Sequence, residues 1–423
     1  MAIDKQIIMR IIVDRIRNIK KLSIKTRETK AIDHLSVIYT GIRRSGKSFL
    51  LYQVMNELVK KGHEWDEFLY INFEDERLIG FDINDFDLLI EAHHTLFQKE
   101  PIFFLDEIQN ISGWEKFARR MADEKRTIYI TGSNSKMLSH EMERTLGGRY
   151  LAILVYPYSY DEFLSAKQVR ITNSTFYSIE SRAILLGLLD EYLHFGGFPE
   201  ITELINKRDY LSNLYNKIFL GDIISRYSIS NKSGLEVLLK KVAESVRQPI
   251  SYSRLLHIVQ SVGYKVGKST IIQYIEYCKE SYLLFSLSNL GAKFVDKNST
   301  PKYYFMDTGL LNLFLIDANP ALLENCIALE LIRNEGQENV YYYQDNVEVD
   351  FVIPSKSTAI QACYSLNDLL TKEREVNALV KISKFMKIKN NIIITYDQED
   401  TITVDDITIQ VIPSWKWLLK RRD

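Results

Sequence analysis

One octapeptide constrains this chain more than anything else in it. Gly41-Ile42-Arg43-Arg44-Ser45-Gly46-Lys47-Ser48 fits the pattern G-x-x-x-x-G-K-[ST] at every specified position. Before it stands Leu35-Ser36-Val37-Ile38-Tyr39, a short β-branched-rich run that reads as a buried strand, and after it Phe49–Leu58 has helical apolar spacing. Strand, glycine loop and helix in that order make the context in which the pattern predicts a phosphate-binding loop. Gly41 and Gly46 let the backbone turn tightly and bring successive N–H groups round a phosphate, where a Cβ would intrude. The helix N-terminus behind them adds partial positive charge. Lys47 is placed to neutralise β- and γ-phosphates, and the Ser48 hydroxyl to ligate Mg²⁺. The expected binding set is Gly41, Ile42, Arg43, Arg44, Ser45, Gly46, Lys47, Ser48 and Phe49; the bland alternative is a glycine turn ahead of an ordinary helix.

A second signature lies at Ile102-Phe103-Phe104-Leu105-Asp106-Glu107, an apolar strand with two acids at its C-terminal end. That end of a parallel strand is where open α/β sheets bind ligands. Asp106 is expected in the Mg²⁺ shell, and Glu107 is expected to polarise an attacking water. Between the two signatures, Phe68–Asp75 reads as another strand ending in acids, and Phe86–Gln98 as a helix. Thr127–Thr131 is a strand that ends at Gly132-Ser133-Asn134. A polar side chain there could touch the γ-phosphate or the water, Ser133 being the first choice and Asn134 the second, with a plain turn as the alternative. Gly147-Gly148-Arg149 precedes the apolar strand Ala152–Val155. Arg149 could reach a neighbouring subunit's nucleotide as a finger, a contact worth roughly 10³–10⁵ in rate in GTPases, or form an intramolecular surface ion pair.

Composition limits what surrounds these motifs. A chain of 423 residues predicts two to four domains, and 46% hydrophobic residues suffice for several cores. The net charge of −1 excludes a wholly basic nucleic-acid coat but allows local basic patches. Three scattered cysteines (Cys278, Cys326, Cys363) form neither a disulfide framework nor a metal signature. No apolar run approaches the roughly 20 residues needed to span a bilayer, and the N-terminus has no signal-peptide pattern. A soluble cytoplasmic protein is expected. Residues 1–30 hold nine Lys/Arg against three acids, a net charge of +6, with Ile8, Ile11, Ile12, Ile16 and Ile19 at helical spacing. Such a helix could bind DNA or an anionic membrane, or pack its isoleucines on the first domain and leave a solvated basic face.

The set Gly41–Ser48, Phe104-Leu105-Asp106-Glu107-Ile108-Gln109, Thr131-Gly132-Ser133 and Gly148-Arg149 with Tyr156-Pro157-Tyr158-Ser159 resembles the AAA+ branch of P-loop ATPases. In particular it resembles a prokaryotic family that joins an AAA+ core to a C-terminal domain of unknown function, and the likeness runs over essentially the whole chain. The resemblance implies a parallel sheet in the order 5-1-4-3-2, ATP with Mg²⁺, and ring-forming self-assembly.

The remainder reads as further modules. Residues 1–165 are the expected core with its basic N-terminal helix. Residues 166–232 are a helical lid, containing the helices Ile179–Phe195 and Arg208–Tyr227, with Arg226 as a phosphate sensor or an ordinary helix-surface arginine. Residues 233–319 resemble a winged helix-turn-helix: helices Ser251–Val262 and Ser269–Ser281, a wing Leu287–Tyr304 with Lys293 and Lys297, and Lys265, Lys268 and Gln273 free to meet a DNA groove. Residues 320–423 resemble a PD-(D/E)XK nuclease core, where a helix acid, a strand Asp and a Glu-x-Lys pair assemble metal chemistry. Glu330 and Asp350 match that pattern, but Gln361 stands for the Glu and Cys363 for the Lys. The expected fold is therefore α/β, an AAA+ core with parallel sheet followed by lid, winged helix and a degenerate α/β nuclease-like domain. The expected activity is an ATPase motor or switch on a DNA or protein partner. An ATP-gated nuclease, or a signalling ATPase without nucleic acid, is the alternative.

Overall fold

The computed structural model describes residues 3–27, 36–138, 144–291 and 300–419. They form two compact units: residues 3–156 with Glu280–Tyr282, and residues 157–279 with 283–419. The wing lysines Lys293 and Lys297 lie outside the described residues.

The first unit is built on strands β1 (Ser36–Thr40), β2 (Phe68–Asn72), β3 (Ile102–Asp106), β4 (Ile128–Gly132) and β5 (Tyr150–Leu154). They pair in parallel in the order β2-β3-β4-β1-β5, the order implied by the resemblance. Parallel strands need crossovers that cover both faces, so their residues are apolar on both sides. In β1, Ile38 faces one core cluster while Val37 and Tyr39 face the other. Helices α1 (Lys5–Ile19), α3 (Phe86–Phe97) and α4 (Trp114–Asp123) supply the first cluster, and α2 (Lys47–Lys60) with Ile16 and Ile19 of α1 supplies the second.

The N-terminal segment takes the packed form. Asp4 caps α1 by accepting from the Gln6 amide, and all five isoleucines of its stripe are buried. Part of its polar face is also occupied: Arg15 meets Asp75 at 2.8 Å, and Asp14 meets Arg77 at 3.1 Å. Hydrogen bonds from Arg77 hold the Asp75 carboxyl well below the usual range, Arg15 adding to the effect against the opposing pull of burial. The stripe is thus consumed by the core and offers no apolar face to a bilayer. Among the described residues no helix is long and apolar enough to cross a membrane.

The second unit opens with the helices Tyr160–Ala166, Ile179–Phe195 and Lys207–Lys217, the last running on through a wide π-turn over Ile218–Ser225. Ile179–Phe195 stops at Gly196, and the next amide, Gly197, donates to the buried Asp307 carboxylate at 2.8 Å. The helices Lys232–Glu244, Tyr252–Ser261 and Lys268–Glu280 follow, then an antiparallel hairpin of β6 (Leu284–Leu287) and β7 (Lys302–Phe305). The C-terminal sheet contains β8 (Tyr341–Gln344), β9 (Glu348–Ile353), β10 (Thr358–Ala362), β11 (Asn390–Thr395), β12 (Asp400–Val404) and β13 (Ile407–Pro413). Its order is β12-β13-β11-β10-β9-β8, with β9 antiparallel to β8 and β10, and β10, β11 and β13 parallel. The helices Asn319–Glu335 and Leu369–Met386 pack on it.

Candidate functional site

Because β1 to β4 are parallel and in register, their C-terminal ends reach one edge of the sheet together. Asn72 is level with Asp106, and Thr40 with Gly132. The Gly41–Ser48 loop leaves β1 at that edge and turns into α2 at Lys47. Gly41 is needed for space, since a Cβ there would lie 2.2 Å from the Val155 carbonyl oxygen. Gly46 caps α2 at φ +94°, and Arg44 is also left-handed at φ +66°. The Lys47 side chain is buried and donates to the carbonyls of Gly41 and Ile42 at 3.0 Å each, its Nζ 4.0 Å from Glu107 Oε1. The Ser45 hydroxyl is buried inside the loop without a hydrogen-bond partner. Arg43 meets Glu74, just past β2, at 2.9 Å. Phe49, in the first turn of α2, is half exposed and tilts against Tyr52.

Asp106 is fully buried and receives four donors. Ser48 Oγ reaches its Oδ1 at 3.1 Å, the Thr131 hydroxyl reaches the same oxygen, Tyr70 donates to Oδ2 at 2.6 Å and Asn72 Nδ2 does so at 3.2 Å. Burial, with the adjacent Glu107, pushes the Asp106 carboxyl above its ordinary value, while the hydroxyl donors pull the other way. Tyr70 and Asn72 carry no motif, and Thr131 enters only within the Thr131-Gly132-Ser133 resemblance, so the sequence assigned none of the three a role. The available signal was a polar side chain at the C-terminal end of an otherwise apolar strand.

Glu107 adopts φ +53°, a left-handed conformation costing a non-glycine residue about 1–2 kcal/mol. Its amide donates to Thr131 Oγ1 at 2.9 Å. Ser133 is buried beside it, joined through Gln109 Nε2, which lies 2.5 Å from Glu107 Oε2 and 3.3 Å from Ser133 Oγ. Asn134 is turned away: its side chain caps the Lys136 amide and its carbonyl accepts from Thr40. Arg149 lies at the start of β5 in a surface pair with Asp123 at 2.6 Å. Thus the strand ends bring together Lys47, Ser48, Asp106, Glu107 and Ser133, and leave Asn134 and Arg149 engaged elsewhere. Arg226, in the second unit, pairs with Asp222 of its own helix at 3.3 Å.

A second polar cluster lies in the C-terminal part, beside a cleft of about 940 Å³. Glu330 does not face it; its carboxylate accepts from Arg333 and Asn334 on its own helix. The helix acid that does is Glu324, six positions earlier and 1% exposed. Facing it is Lys302 of β7, 0% exposed, whose ammonium lies 2.9 Å from Asp350, 3.1 Å from Glu348 and 3.3 Å from Glu324. Desolvation alone would lower the Lys302 pKa, but Asp350 and Glu324 hold it well above the usual value. Burial and then Asp350 push the Glu324 carboxyl up to about 7. Gln361 stitches strands together, accepting from the Asp350 amide at 2.8 Å and donating to the Glu348 carbonyl at 3.1 Å. Burial pushes the Cys363 thiol up to about 11. Among the described residues no group of three or more His, Cys, Asp or Glu is arranged to hold a metal ion.

In the winged-helix range, Lys265, Lys268 and Gln273 are exposed, Ile271, Ile275 and Leu283 are buried, and Ile272 is half-buried.

The parallel sheet, the glycine loop and the acid pair at one strand edge are those of a P-loop ATPase of the AAA class, and residues 33–164 match the family described as "AAA domain". The chain belongs to the same family as "Uncharacterized protein MJ1544" of Methanocaldococcus jannaschii, to which it is 37% identical over 99% of its own length and 96% of the relative's. A Haemophilus influenzae protein is 30% identical over 91% of this chain and 95% of that one. Residues 186–320 match a "Domain of unknown function (DUF8612)". Among solved structures, a Walker-type ATPase of Pyrococcus abyssi is similar over 74% of this chain and 96% of its own, at 14% identity and a TM-score of 0.41.

Proposed function

We propose that this protein binds and hydrolyses ATP with Mg²⁺ and uses the cycle as a motor or switch on a partner, DNA or protein. The observation that carries the proposal is the convergence of Lys47, Ser48, Asp106 and Glu107 within hydrogen-bond or ion-pair distance at one sheet edge. The residues present suit the nucleotide. The loop has a glycine where any Cβ would collide, and a buried hydroxyl, Ser45, without a partner. Lys47 rests on two backbone carbonyls, from which it can turn to a phosphate. Ser48 and Asp106 would hold Mg²⁺, which when bound neutralises the charge developing on the transferred phosphoryl group. Glu107, its Oε1 4.0 Å from the Lys47 ammonium, accepts a proton from the attacking water. Ser133 stands where a polar group can report the γ-phosphate.

The reading of the partner draws on the second unit. Three helices and a hairpin with Lys265 and Lys268 exposed support a winged helix that meets DNA. The order helix, three strands, helix, strand over residues 319–395 supports a nuclease-like domain. That domain does not cut. Lys302 fills the space between Glu324, Glu348 and Asp350, Gln361 is committed to the backbone, and Cys363 is an un-ionised thiol. Self-association into a ring, with Arg149 acting on a neighbouring nucleotide, completes the reading.

The test is a pair of variants. Lys47→Ala is expected to abolish ATP binding, whereas Glu107→Gln keeps binding and stops turnover. Equal loss of both activities in the two variants would sink the role assignments.

A further inference from the structure

Gln109 closes the Phe104–Gln109 motif but is given no role above, yet it touches two residues that have one. The left-handed backbone at Glu107 throws the chain into a tight turn over Ile108–Asn110. That turn folds the Gln109 side chain back alongside the Glu107 carboxylate. One amide nitrogen then serves both Glu107 Oε2 and Ser133 Oγ. The other end of the amide, Oε1, is buried with no hydrogen-bond partner. Orphaned buried acceptors are uncommon because each forfeits its hydration. Reversing the amide would give Oε1 no better partner, since it would set an oxygen against the Glu107 carboxylate. Space for the arrangement is kept by Gly132, where a Cβ would fall 2.7 Å from Gln109 Oε1.

The residue type fits a steering task. A carboxamide can grip a carboxylate without taking its charge, whereas Lys or Arg would neutralise the base and Asp or Glu would repel it. Its second contact, with Ser133, ties that grip to the residue at the end of β4.

We propose that Gln109 is the positioning residue for hydrolysis, aiming Glu107 and coupling it to Ser133, so that a γ-phosphate engaging Ser133 redirects Glu107 through the shared amide. This rests on the ATPase reading and adds the link by which the water-activating carboxylate responds to the nucleotide.

The test uses the full chain with Gln109→Met, which keeps the length and removes both polar atoms, and Gln109→Glu, which keeps the shape and sets an acceptor against Glu107. ATP affinity is measured separately from steady-state turnover. Both variants are expected to retain ATP binding, and Gln109→Met to lose roughly ten- to a hundredfold in kcat, the scale of a misaimed catalytic group. Gln109→Glu should lose at least as much. In a Ser133→Ala background the loss from Gln109→Met should shrink, because the coupling is already cut. Wild-type kcat in Gln109→Met, or losses that simply multiply with Ser133→Ala, would overturn the proposal. So would loss of nucleotide binding in both variants, which would make the role architectural. A wild-type protein that binds ATP without hydrolysing it would remove the ATPase reading and this inference together. An active wild type indifferent to Gln109→Met removes the inference alone.

Discussion

Replacing Lys302 by methionine tests the electrostatics of the C-terminal cluster. Methionine keeps most of the apolar stem and removes the ammonium that lies within 3.3 Å of Glu324, Glu348 and Asp350. Glu348 is 42% exposed and can turn to water, but Glu324 and Asp350 have side chains only 2% and 14% exposed. Arg247, 3.6 Å from the far oxygen of Glu324, covers one side only. Removing one partner of a buried ion pair costs roughly 3–5 kcal/mol, because the remaining charge is left uncompensated. At about 1.4 kcal/mol per factor of ten, that is two to four powers of ten in the opening of this sheet. The pH dependence follows from Glu324, whose carboxyl in the fold is raised from 4.5 to about 7. A raised carboxyl folds best when protonated, so its ionisation costs nothing below pH 4.5 and its full amount above pH 7. Without Lys302 the shift grows, so the deficit should be largest above pH 7 and fade toward pH 5. Hydrogen exchange of the β9 and β10 amides, referenced to wild type at each pH, reads this locally and avoids a two-state fit to a chain of two units. A variant as protected as wild type at pH 8, or a deficit that ignores pH, would refute the reasoning.

Other outcomes follow from the same geometry. The Arg149–Asp123 bridge is exposed, and such pairs contribute about 0–1 kcal/mol, so Arg149 can leave it. Arg149→Ala should lower turnover with ATP affinity retained, and mixing it with Glu107→Gln protein should restore activity; unchanged turnover in Arg149→Ala would reduce it to a surface pair. Lys265→Glu with Lys268→Glu should weaken DNA binding and flatten its salt dependence, measured by titration at several salt concentrations; binding that ignores both charges would move the contact elsewhere. Incubation with Mg²⁺ or Mn²⁺, ATP and single- or double-stranded DNA or RNA should give no metal-dependent cleavage. Cleavage that vanishes in Asp350→Ala would reverse that expectation.

The nucleotide edge was legible in the sequence because its chemistry is local. Gly41–Ser48 and Asp106-Glu107 each carry their meaning within a few residues, and the apolar strands before them set which edge they occupy. What escaped was contact across the chain. Tyr70, Asn72 and Thr131 converge on Asp106 only because β2, β3 and β4 lie side by side. In the C-terminal cluster, Glu330 and Glu324 lie on one helix, and spacing alone did not say which acid faces Asp350. Lys302, 48 positions before Asp350, belongs to a hairpin that no nuclease pattern includes. Asn134 and Ser133 are neighbours, and only the turn into Ser135–Leu138 decides that one faces the site and the other caps a backbone amide.

The packing of α1 has a consequence for how the chain is made. Its isoleucines enter both core clusters, Ile8, Ile11 and Ile12 on one side and Ile16 and Ile19 on the other, against β2 and α3. During synthesis this helix therefore has nowhere to pack until residues 68–97 have followed it. At about 5–20 residues per second, that is a wait of several seconds. A helix of 15 residues is marginal alone in water, so through that interval the basic, isoleucine-rich segment is an open amphipathic surface. A nascent chain arrested near residue 60 should be cut by protease within α1, and one released past residue 97 should resist. The isoleucine stripe that the finished fold buries thus stands open on the growing chain.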